Sequence, residues 1–113
     1  MANSKYAFST ETGIEYYNGD EIIYCYSKNK NTHVFITKGN ILLSFKSINE
    51  IEKIIDDTYF VKINSSYIVN INHIQECSKN NLKTITMING KTIKVNSKKK
   101  QKLLLMTKSV SKI

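Results

Sequence analysis

Phe60-Val-Lys-Ile-Asn-Ser-Ser-Tyr-Ile-Val-Asn70 decides what kind of chain this is. Two β-branched and aromatic runs, Tyr59–Ile63 and Tyr67–Ile71, are split by the polar Asn64-Ser65-Ser66, a pattern that predicts two short strands and a turn. Immediately upstream the period changes. Ile48, Ile51, Ile54 and Ile55 recur at steps of three and four, which marks one face of a helix. Ser47-Ile-Asn-Glu50 supplies a capping box, and Glu50 and Glu52 sit where the helix dipole favours acids.

Working outward, β patterns flank this centre on both sides. Glu21–Tyr26 suits a buried strand, and the polar Ser27–Asn31 interrupts it. Thr32–Thr37 resumes the alternation, Lys38-Gly39-Asn40 turns, and Ile41–Lys46 returns. Residues 6–8 and 14–17 flank Thr10-Glu-Thr-Gly13 as a short hairpin. Downstream, His73–Cys77 precedes a loop, Ser78–Asn81, and Leu82–Ile88 and Lys91–Val95 flank Asn89-Gly90. That dipeptide predicts a type I′ turn with positive φ at both residues. A short helix is expected to start near Ser97, with Leu103–Met106 pinning it to the sheet and a frayed tail beyond.

The chain has 113 residues, enough for one core and too few for two, so residues 1–113 are read as a single domain with its core at about 12–106. No apolar run approaches the ~18–20 residues that span a bilayer. Met1–Lys5 carries no basic-then-apolar leader, so the expected compartment is the cytoplasm and no membrane partner is expected. Cys25 and Cys77 form no CxxC pair and only His33 and His73 could join them, so no metal is expected and both thiols are read as buried and reduced.

All 17 basic residues are lysine. Residues 1–58 hold six lysines against eight acids, and residues 59–113 hold eleven against one, Glu76. The resulting field favours a polyanion; a merely solvated surface is the competing explanation. The four glycines are isolated, and no G-x-S-x-G or HExxH motif occurs. Neither an enzyme nor a cofactor is expected.

The central stretch resembles the signature of LytTR-type DNA-binding domains, with Phe60, Lys62, Asn64, Ser66, Tyr67, Val69 and Asn70 in its slots. His73-Ile74 fits the continuation, Asn89-Gly90 the late hairpin, and Ile93-Lys-Val-Asn-Ser-Lys-Lys99 the closing block. Glu21-Ile-Ile-Tyr24 resembles the opening strand, and the Ser47 helix sits where such domains have one. Ser65, Ser97 and Lys98 stand where arginine is common, and the closing block can also be aligned on Ser97 instead of Asn96.

The resemblance implies a mainly β fold: an elongated stack of small antiparallel sheets with one short capped helix and a short C-terminal helix. It implies contact with double-stranded DNA through loops rather than an inserted helix. Three patches follow from it: Lys30, Asn31, Thr32 and His33; Asn64, Ser65 and Ser66 with the nearby Lys62; and Asn96, Ser97, Lys98, Lys99 and Lys100. Two copies on promoter direct repeats are also implied, with a receiver domain or a regulatory protein as further partner; no receiver is present in this sequence.

Within those patches the residues suit the task. Lysines neutralise phosphates, and Asn31, Asn64 and Asn96 could each bond an adenine edge. Other readings stay open. His33 could line a solvent face. Ser66 could cap a turn or hold a phosphate. Asn70 is expected to satisfy backbone groups at a strand end. Tyr16, Tyr17, Tyr24, Tyr26, Tyr59 and Tyr67 are expected in the core or on sheet surfaces, although exposed tyrosines would suit a single-strand binder. A protein-interaction module with incidental charge is the remaining alternative.

Overall fold

The computed structural model describes residues 4–78 and 81–107; the end of the expected tail and part of the Ser78–Asn81 loop lie outside them. Ten short strands and two short helices make three antiparallel sheets. β1 (Lys5–Thr10) and β2 (Gly13–Asn18) form a hairpin. β3 (Ile22–Lys28), β4 (Asn31–Ile36), β5 (Ile41–Ser44), β6 (Phe60–Lys62) and β7 (Tyr67–Asn70) make the central sheet, in the order β5-β4-β3-β7-β6. β8 (Ile74–Cys77), β9 (Thr84–Met87) and β10 (Thr92–Lys94) form the third sheet. α1 (Ile48–Ile54) and α2 (Lys100–Met106) are the helices. The body measures 49 × 28 × 24 Å, elongated as the resemblance implies.

The alternation of the central strands builds two cores, one on each face of the central sheet. Cys25, Val34, Phe60 and Ile68 point to one face, where Ile48 and Ile55 of the α1 segment cover them and Tyr6, Phe8 and Tyr17 of the first hairpin pack alongside. Tyr24, Val61 and Val69 point to the other, against Ile85, Met87 and Ile93 of the third sheet and Leu103 of α2. A bulge between Ile22 and Tyr24 lets Ile22 serve the first core while both Ile23 and Tyr24 serve the second.

The capping box forms as expected: Glu50 N donates to Ser47 Oγ (3.2 Å) and Ser47 N donates to Glu50 Oε1 (3.1 Å). These bonds hold the Glu50 carboxyl below its ordinary pKa. Asn70 is fully buried; its amide donates to Gly19 O and Ile22 O, and its carbonyl accepts from Asn72 N. Gly19 in turn lies under the Tyr59 ring: a Cβ there would stand 1.8 Å from the phenol oxygen.

Three expectations change. At Asn89-Gly90 only the glycine has positive φ (+90°); Gly90 N donates to Met87 O and Met87 N to Lys91 O, so the turn is a three-residue loop closed by a left-handed glycine. The β4–β5 turn repeats this arrangement at Gly39 (φ +95°). The two-residue type I′ turn instead joins β3 to β4, with Asn29 at φ 53° and Lys30 at φ 70°. Finally, Cys25 is buried and free, but Cys77 is exposed rather than buried. Its β8 position carries no alternation strong enough to assign a face.

Candidate nucleic-acid interface

The three expected patches meet at one end of the central sheet, and backbone hydrogen bonds join them. Ser27 N, next to the β3–β4 turn, donates to Ser66 O at 2.8 Å. Asn96 N donates to Ile63 O at 2.8 Å, so the closing block is bonded to the strand end that leads into the Asn64 turn. Asn64 locks the junction. Its carbonyl oxygen accepts from Ser66 N (2.8 Å) and Tyr67 N (3.0 Å), and its amide donates to Lys94 O (2.7 Å).

That locking corrects one assignment. The Asn64 side chain is engaged at both ends by its own fold, so it positions the turn instead of offering a bidentate edge to a base. Thr32 is corrected too. It is fully buried, and its hydroxyl donates to Lys46 O (2.9 Å), which leaves no group for a ligand. Its neighbours differ: Asn31 is half-buried and Lys30 is exposed at the turn.

In the closing block Asn96, Ser97 and Lys98 are exposed, and Lys99 and Lys100 are half-buried. Asn96 Oδ1 accepts from Lys98 N (2.9 Å) and starts a 3-10 turn over Ser97–Lys99. Asn96 is exposed, and its side-chain amide has donor hydrogens besides that bond. Ser65 is exposed and Ser66 half-buried; the Ser66 backbone, at N and O, is spent on the junction. Lys62 is half-buried on the α1 side of the sheet, and its ammonium donates to Asn49 Oδ1.

His33 is half-buried, in an edge-on pair with Tyr26 (6.5 Å). Tyr26 stacks on Tyr67 (4.7 Å), Tyr67 tilts against Tyr24 (5.7 Å), and Tyr24 stacks on Phe35 (4.4 Å). Tyr24 and Tyr59 are buried and Tyr17, Tyr26 and Tyr67 half-buried, leaving Tyr16 as the exposed ring of the six. These rings pack on one another and on the core, in contrast to an open platform for unpaired bases.

Sequence reading missed Lys28 and Asn29. Both are exposed at the β3–β4 turn, beside Lys30. The signal was present, because an Asn flanked by two strand patterns favours positive φ, but Ser27–Asn31 looked like a longer loop. Among the described residues no group of three or more His, Cys, Asp or Glu side chains is placed to hold a metal ion. No described helix is long and apolar enough to cross a membrane.

The family model for the LytTr DNA-binding domain matches residues 12–108. The chain belongs to the LytTR family. Its DNA-binding character therefore rests on membership, and the family is not a catalytic one. A solved LytTr DNA-binding domain from Bacillus cereus, from a chain described as a methyl-accepting/DNA response regulator, has the same fold: TM-score 0.75 at 23% identity, covering 92% of this LytTR chain and 96% of that one. No curated protein matches this chain. The family match begins at residue 12, so β1 of this LytTR domain precedes it.

Proposed function

We propose that this LytTR domain recognises a specific duplex sequence and regulates transcription, using the end of the central sheet as its DNA-facing edge. The observation that carries the proposal is the bonded convergence of three chain segments there: Ser27 to Ser66, Ile63 to Asn96, and Asn64 to Lys94. Exposed lysines cluster at two of them, Lys28 and Lys30 on one side and Lys98 on the other, with Lys99 and Lys100 behind. Ammonium groups there neutralise phosphates and release counterions. Asn31, Ser65, Asn96, Ser97 and His33 are the polar groups left to meet base edges and sugars.

Lysine lacks the planar fork with which arginine grips guanine, and this chain has no arginine. Discrimination accordingly leans on Asn–adenine contacts and on duplex shape. The long, narrow body leaves room for two copies side by side on direct repeats, and a receiver domain or regulatory protein would set when they bind. The bacterial cytoplasm is the compartment this reading requires.

Selection of binding sites from random duplex DNA at near-physiological salt tests the proposal. The expected result is a recovered A·T-rich motif that occurs as a direct repeat and is shifted by two copies of the protein. Tighter binding to unpaired strands, or no enriched motif, would overturn it.

A further inference from the structure

A second site lies on the α1 side of the molecule. β1, β5 and α1 line a half-open cavity of about 590 Å³, within the range of small-molecule sites. Its walls are apolar: Tyr6 and Phe8 from β1, Ile22 and Val34 from the central sheet, and Ile51 and Ile55 from the α1 segment. At its mouth Phe45 is 80% exposed and Ile54 57% exposed, apolar groups left facing water. The charged residues of the lining are Lys5, Lys46 and Glu50. Glu50 accepts from Ser47 N in the capping box and keeps its negative charge, so with Lys5 and Lys46, both exposed, the rim carries a net charge of +1.

An apolar chamber with a cationic rim complements an apolar body that ends in an anion. We propose that this cavity binds a fatty acid as a monomer, its chain between β1 and α1 and its carboxylate at Lys5 and Lys46. The wall that Lys46 belongs to also reaches the central sheet edge, because Lys46 O accepts the Thr32 hydroxyl. β1 supplies one whole wall of the site and precedes the family match. The site does not depend on the DNA-binding proposal and is measured without DNA.

The test is a titration of the whole protein with octanoate, decanoate and dodecanoate below their micelle thresholds. It is followed by calorimetry and by amide shifts in two-dimensional NMR. Saturable 1:1 binding is expected, with shifts at Phe8, Phe45 and Ile54 and none at Ile85 in the opposite core. Affinity should rise about fourfold per added methylene until the chamber is full. Lys5→Gln with Lys46→Gln should weaken decanoate about tenfold, the scale of two exposed ion pairs. Ile51→Trp, which adds bulk to the α1 wall of the chamber while leaving the lysines, should weaken it at least as much.

Decyltrimethylammonium binding as tightly as decanoate would overturn the proposal, as would shifts spread over the whole surface or no saturation at all. Shifts of the cavity residues with protein concentration alone would overturn it in favour of a second copy of the chain.

Discussion

Asn64 shows how far a residue can be misjudged when only its type is known. An Asn in a polar turn of a DNA-binding signature invites the role of base reader. In the structure its three hydrogen bonds hold the Ile63–Tyr67 turn and tie it to Lys94. Asn64→Ala should therefore cost about 1–3 kcal/mol of stability and weaken binding on every DNA sequence. A mutant of normal melting temperature that had lost selectivity at a single base position would restore the base-reading role. The exposed lysines carry the opposite expectation. Lys98→Ala and Lys99→Ala should leave the melting temperature within a degree or two and lower the slope of log K against log salt by ~1 each. Unchanged slopes would remove these residues from the phosphate contacts. Nothing in the sequence separates the two kinds of residue, because the distinction lies in whether the polar atoms are already paired across a distance of 30 positions.

Elements were more legible than their joints. The helix was visible at Ser47–Ile55 because two independent signals coincide there, an apolar period near 3.6 and a capping box. Ser47→Ala should cost about 0.5–2 kcal/mol by chemical denaturation. Glu50 adds a pH dependence of known sign. Its carboxyl titrates below the ordinary value in the folded protein, so its contribution is present above about pH 4.3 and is lost as pH falls through and below that value. Turn types were less legible. Asn89-Gly90 promised a two-residue loop, yet one more residue, Ile88, is spent in the turn, and the register of β9 against β10 decides this, not the dipeptide. The true type I′ turn places Lys30 at φ 70°, a conformation that suits Asn or Gly better than a long side chain. Lys30→Gly should raise stability by roughly 0.5–1 kcal/mol. It should also lower the salt slope of DNA binding by ~1. Loss of stability in that variant would show that the turn carries no such strain.

At the scale of the molecule, two cores on opposite faces of one sheet explain why nearly every strand was visible while its neighbours were not. A strand buried on both sides loses clean alternation, as Ile22–Cys25 does, and its pairing partners depend on chain ends far away in sequence. The cysteines report this interior directly. Burial pushes the Cys25 thiol up to about 12, whereas Cys77 lies exposed on the third sheet. At pH 8 iodoacetamide should label Cys77 alone in the native protein, and both thiols in denaturant; mass spectrometry of the digested protein distinguishes the two. Rapid native labelling of Cys25 would mean that the core facing α1 opens readily. One contact in that core has an evolutionary consequence. With the Tyr59 phenol seated where a methyl group at position 19 would have to go, the two sites are locked in covariation: a lineage that gains any side chain at 19 must first shrink the ring at 59. Aligned descendants should therefore display the pair as a correlated exchange, detectable without any measurement on the protein itself.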